Sequence, residues 1–198
     1  MSDASTILDF WFGSDALPPD EHERLAARWF RRDEVFDAEV RSRFGNLVDA
    51  ALTGELDGWT ATPRSWLALL LLLDQFPRNL YRNSPAAFAG DAKAQRLALE
   101  GIDRGDDAAL PARYRAFAYL PLEHAEDLDL QQRCVALFEV LAADPQARPA
   151  EAYLGYLDYA RRHCDVIRRY GRFPHRNRVL GRLTTAEEQI YLDAGGGF

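Results

Sequence analysis

Residues 63–82 read PRSWLALLLLLDQFPRNLYR, and the fold turns on this stretch. Trp66, Leu67, Leu69 to Leu73 and Phe76 wrap every side of a helix, which predicts a central helix surrounded by others. The run from Trp66 to Leu73 is far short of the roughly 20 apolar residues that span a bilayer, so it reads as core. Thr62 followed by Pro63 gives an N-cap with proline at the first helical position. At the far end Asp74 stands in the last turn, where the helix dipole and desolvation both oppose a carboxylate. Pro77 is expected to stop the helix and push Phe76 toward extended geometry. The chain is then expected to fold back, bringing Arg78 or Arg82 to the carboxylate, since an arginine fork suits a half-buried acid.

The neighbouring segments carry the same helical period. In residues 33–52 the apolar positions Phe36, Val40, Phe44, Leu47 and Ala51 step by threes and fours. Leu130, Cys134, Leu137 and Leu141 repeat the pattern, as do Tyr153, Leu157, Ala160, Cys164 and Ile167. No stretch alternates like a strand, so an all-α fold with essentially no sheet is predicted. Boundaries are marked by Ser84-Pro85, Leu110-Pro111, Gly171 as a left-handed stop, and Thr184 with Glu187 as a capping box. Eight or nine helices with short connections imply antiparallel neighbours in one compact bundle or superhelix over residues 1–198.

Bulk properties narrow the function classes. At 198 residues with nearly half of them aliphatic or aromatic, the chain suits a single domain with a sizeable core and not a disordered segment. A net charge of −7 argues against a nucleic-acid or membrane-surface protein. The charge is uneven, however. Residues 161–182 hold eight arginines and one acid, Asp165, a local +7 against −14 elsewhere. The start lacks a basic, apolar secretory signal, and the isolated Cys134 and Cys164 read as reduced thiols, so a cytoplasmic location is expected.

Three proline-marked helix ends collect the unusual polar residues. The first is Asp74 with Arg78, Asn79 and Arg82. In the second, Pro121 is expected to interrupt a helix just before Glu123, His124, Glu126 and Asp127. The third holds His163, Asp165, Arg172, His175, Arg176 and Asn177, and its RFPHRN loosely echoes QFPRN. Tyr156, His163 and Tyr170 are spaced by seven, which places His163 at the border of core and solvent. Each patch also has a plain structural reading, as an ion pair, a solvated helix entrance or a solvated face.

These motifs, LLLDQFPRNLYR, YLPLEHAED and HCDVIRRYGRFPHRNRVLGR, together with ILDFWFG, WFRRDEVFDAEVRSRF and TTAEE, resemble the bacterial family known as domain of unknown function 924, over nearly the whole chain. The resemblance implies an all-helical fold similar to tetratricopeptide-repeat-like superhelices, and it implies no established activity. The family's motif positions match Asp74, Gln75, Arg78, Asn79, Arg82, Glu123, His124, His163, Asp165, Arg172, His175, Arg176 and Asn177 here; Ala125 and Cys164 depart slightly from the pattern.

Three functional readings follow. If the motifs meet, Asp74, Arg78, Asn79, Arg82, Glu123, Arg172, His175, Arg176 and Asn177 line a site for an anionic small molecule or peptide. Alternatively, the protein is an enzyme, a hydrolase or group transferase on an anionic substrate. Its general base is then His124 or His163, held by Asp127 or Asp165. In the third reading the charges only cement helix packing in a scaffold. No nucleophile elbow, phosphate-binding glycine loop or dinucleotide fingerprint is present, and no cofactor is expected. The separations between His124, His163 and His175 match no compact zinc signature, so no metal is expected.

Overall fold

A computed structural model describes residues 3–14, 19–29 and 31–198. Among them there is no strand, and the elements in order are α1 (Asp3–Phe12), α2 (Pro19–Trp29), α3 (Glu34–Thr53), α4, α5 (Asp91–Arg104), α6 (Ala112–Glu123), α7 (Leu128–Ala143), α8 (Ala150–Tyr170) and α9 (Ala186–Asp193). Helix α4 is one path in three segments: Pro63–Leu70, a wider π turn at Leu71–Gln75, and Phe76–Leu80.

Helix α4 occupies the centre, as its all-round apolar sequence requires. It packs against α1, α3, α5 and α6, and every side chain from Trp66 to Pro77 is buried. Aromatic rings from α1 and α3 close around Phe76, with Trp11 and Phe44 each 5.3 Å from it between ring centroids, and Trp29 of α2 and Phe117 of α6 pack in turn on Trp11. Helices α7 and α8 pack on each other and on α6, extending the core through Phe138 and Tyr153. A second, small cluster of Val166, Ile167 and Phe173 lies under Tyr170 and Tyr191, beside α9.

Pro77 does not stop the helix. The chain passes through it because the turn before it widens: the Phe76 N–H reaches back five residues to the Leu71 carbonyl. A proline ring in a regular helix collides with the carbonyl four residues earlier, here Leu73, and the wider turn relieves that collision. Gly90, the residue before α5, lies directly on the freed Leu73 carbonyl, where an added Cβ would stand 2.1 Å from the oxygen. Arg78 therefore keeps its place one turn after Asp74. Pro121 likewise sits inside α6, which runs on to Glu123, and the His124 N–H bonds Leu120 O at 2.9 Å.

Two smaller expectations shift by one residue. The capping box of α9 is Thr185 with Glu188, because the Thr184 hydroxyl is engaged by the Asn177 amide at 3.3 Å. In α3 the fourth buried position is Val48, with Leu47 half-buried at its side. The caps at Thr62 and Gly171 are as expected; Gly171 adopts φ of 66°.

Candidate functional site

The first motif supplies its two site residues from the π turn and the turn after it. Asp74 is 1% exposed, and its carboxylate accepts from His124 Nδ1 at 2.7 Å and from the Gln75 amide. An Arg78 guanidinium nitrogen lies 3.8 Å away. Burial pushes the Asp74 carboxyl up, but His124, Arg78 and Gln75 outweigh it and hold the group down to about 2.

The second motif enters at the end of α6. The chain turns there because the buried Gln131 amide of α7 donates to the carbonyls of Glu123 (2.5 Å) and Ala125 (2.8 Å). That turn aims His124 at Asp74 and Glu123 at His163. The Glu123 carboxyl is pushed up to about 8 by burial and then by the charge of Asp74, so it is neutral at pH 7. Among the described residues its buried Oε2 has no hydrogen-bond partner, so nothing there compensates a negative charge.

The third motif contributes His163 from α8 and Arg176 from the short turn Pro174–Arg176. His163 Nδ1 donates to the Tyr159 carbonyl at 2.9 Å, with the nearer Glu123 oxygen 3.6 Å away. Burial drives its imidazole down to about 3, so the ring is neutral with Nε2 left as an acceptor. The His124 and His163 ring centroids lie 6.4 Å apart. Arg176 is 7% exposed, and its guanidinium sits over Phe173 (4.4 Å) and Phe88 (4.9 Å). It donates to the His124 carbonyl at 3.1 Å, which ties the third motif to the second.

One central group was not legible as such. Asp91, the first residue of α5, lies 2.9 Å from Arg78 and 3.6 Å from Arg176, so two arginines from different motifs face one carboxylate. Burial, reinforced by Asp74, pushes the Asp91 carboxyl up against the pull of the two arginines. In the sequence it looks like an ordinary acid in the first turn of a helix, a place the dipole favours anyway. Phe88 is the other residue the sequence did not single out; both Arg78 and Arg176 lie over its ring.

The remaining candidates sit elsewhere. Asn79 and Arg82 both bond Asp37 and so fasten α4 to α3. Arg172 makes a two-point contact with Glu188 at 2.6 and 2.8 Å, and Asn177 reaches the same carboxylate, so both hold α9 down. Asp165 is exposed and pairs with Arg168, and Asp127 caps α7; neither holds a histidine. His175 lies beside Phe173, 5.6 Å between centroids, and burial with the nearby Arg176 drives it down to about 4. The side chain of the fourth histidine, His22, lies outside the described residues.

The cluster thus contains two carboxylates facing two guanidiniums, one neutral acid and two imidazoles. Most of it is buried, but the side chains of His124 (18% exposed) and Arg78 (23%) reach the surface. Two open depressions on α8, of about 330 and 290 Å³, are bordered by neither of these residues. Among the described residues no three His, Cys, Asp or Glu side chains converge to hold a metal ion, and no helix is long and apolar enough to cross a membrane.

Comparison with known proteins places this architecture. No curated protein matches the chain. A solved structure of a protein of unknown function from Agrobacterium tumefaciens is 42% identical, covers 97% of this chain and 97% of its own, and superposes with a TM-score of 0.82. The model of the bacterial proteins of unknown function termed DUF924 matches residues 7–196, a span that includes all three motifs. The chain belongs to the DUF924 family.

Proposed function

We propose that this cluster binds a small anion, a carboxylate or phosphate group carried by a small molecule or peptide, through Arg78 and Arg176. The observation that carries the reading is that these two guanidiniums come from different motifs and turn toward the same carboxylate, Asp91. A planar fork recognises such oxygens at two points, and aromatic faces hold Arg176 in a fixed orientation before any ligand arrives. Asp91 is held there against its own desolvation. An arriving anion exchanges its charge for that of Asp91, whose protonation frees both arginines. Binding on this reading takes up a proton.

A thermal-unfolding panel of acetate, phosphate and dicarboxylates tests the reading. Free ligand at a hundredfold its Kd adds roughly 2.7 kcal/mol to the stability of the native chain. Arg78→Gln, at a partly exposed side chain, removes that gain while leaving the unliganded protein folded. A flat response of the unaltered chain to every anion rules the reading out.

The 2.7 Å contact between Asp74 and His124 favours a second reading, in which the bound anion is a substrate. A buried carboxylate on Nδ1 fixes the tautomer and leaves Nε2 of a partly exposed imidazole free to take a proton from a nucleophile. Hydrolysis or group transfer fits this geometry. In that case His124→Gln abolishes turnover and spares anion binding, whereas a site that only binds loses nothing but affinity.

A further inference from the structure

Beside the arginine cluster is a second feature of different chemistry. The Phe198 ring lies face to face on the His163 imidazole, 3.5 Å between centroids and 17° between planes. Phe173 and His175 meet the same ring edge-on, at 6.1 and 5.9 Å, and Tyr159 stands 6.4 Å away. Together they form a slot whose walls favour a flat π face, since stacked and edge-on partners suit the quadrupole of an aromatic ring. The slot shares His163 and Phe173 with the charged cluster: Arg176 packs over Phe173, and His124 lies next to His163.

The segment that delivers Phe198 is Gly195, Gly196 and Gly197. Gly195 and Gly197 have positive φ, 81° and 140°, and a Cβ on Gly196 would stand 2.5 Å from Tyr191. Glycine is therefore required for the chain to fold back over α9 into the slot. The occupant remains 46% exposed, and the wall it covers, His163, is only 5% exposed. His175 brings to the slot an Nδ1 that is buried without a partner.

We infer that the His163, Phe173, His175 and Tyr159 slot is a subsite for a planar aromatic group of the ligand, and that Phe198 fills it when no ligand is bound. The ligand class this names is an aromatic ring bearing an anionic group, with the ring on His163 and the charge toward Arg78 and Arg176. Only the anionic half rests on the function proposed above. Phe198 competes for the same wall, so the segment lowers affinity for aryl ligands and leaves small anions untouched.

The test uses the full chain and Phe198→Ala, with imidazole proton NMR and titrations of acetate, benzoate and the uncharged benzamide. In the unaltered chain the ring current of Phe198 holds the His163 ring protons upfield, and Phe198→Ala releases them. Added benzoate or benzamide restores the upfield position in the variant. Benzoate binds the variant roughly threefold to tenfold more tightly than it binds the unaltered chain, whereas acetate binds both alike. His163 signals that do not move in Phe198→Ala, or that neither aryl probe restores, overturn the slot even where acetate binds. Benzamide restoring the signal while acetate fails to bind leaves the slot standing and defeats the anion reading.

Discussion

At the scale of single residues, the most telling group is Glu123. It is buried among charges, yet among the described residues no cation lies against it as Arg78 lies against Asp74, so the carboxyl is pushed up to about 8 in the folded chain. Its value rises from 4.5 to about 8, and its contribution to stability is therefore full below 4.5 and is lost as pH climbs toward 8. His163 works in the opposite direction. Its value falls from 6.5 to about 3, so the unfolded chain binds the extra proton in that window and stability rises with pH. The two oppose each other from 4.5 to 6.5, and between 6.5 and 8 Glu123 acts without that opposition. One proton is worth about 1.4 kcal/mol per pH unit. Glu123→Gln, which is neutral at every pH, should therefore abolish a decline on the order of 1 kcal/mol between pH 6.5 and 8. Urea unfolding at the two values checks this, and parallel declines in both proteins contradict it.

At the scale of elements, the π turn of α4 is what positions the first motif. It accommodates Pro77, keeps Arg78 one turn from Asp74, and exposes the Leu73 carbonyl to Gly90. Gly90→Ala places a methyl group against backbone atoms that cannot swing aside. Overpacking of this kind costs about 1–3 kcal/mol, and a backbone obstacle puts the cost at the upper end. The denaturation midpoint should fall with an unchanged slope, and Arg78 should lose part of its grip on Asp74. A variant as stable as the parent means that the turn gives way easily. The helices themselves were legible because their apolar stripes and caps are local: Thr62 with Pro63, the Gly171 stop and the Tyr153–Ile167 stripe all depend on neighbours a few residues away. The π turn was not legible, because a proline after an apolar run gives the same local signal whether the helix ends or widens. The Leu73 carbonyl that the wide turn frees is met by Gly90, which arrives from another element. Pro121 posed a similar ambiguity, and there the helix runs on to Glu123 without a π turn.

At the scale of the whole molecule, three corners distant in sequence meet at one place, and the sequence foretold which residue types would be there. Asp74, Arg78, Glu123, His124, His163 and Arg176 come together from the π turn of α4 and the turn after it, the end of α6, the body of α8 and the short turn Pro174–Arg176. Arg82, Asn79, Arg172 and Asn177 carry the same chemistry in the same motifs but take the Asp37 and Glu188 carboxylates, and nothing local distinguishes the two fates. Asp91 makes that distinction for Arg78 and Arg176, and it became visible only in three dimensions. It links α5 to both the first and the third motif, so its energy should be shared with residues of neither neighbouring segment. A double-mutant cycle of Asp91→Asn and Arg176→Gln should show a coupling of about 1–2 kcal/mol, because each partner alone leaves the other buried with a poorer match. Arg82→Gln, whose carboxylate is Asp37, should add to Arg176→Gln within about 0.5 kcal/mol. Unfolding free energies of the single and double variants decide the matter. If Asp91 and Arg176 prove additive, the third corner is held by its aromatic neighbours Phe88 and Phe173 and by the His124 carbonyl, and the charged cluster does not act as one unit.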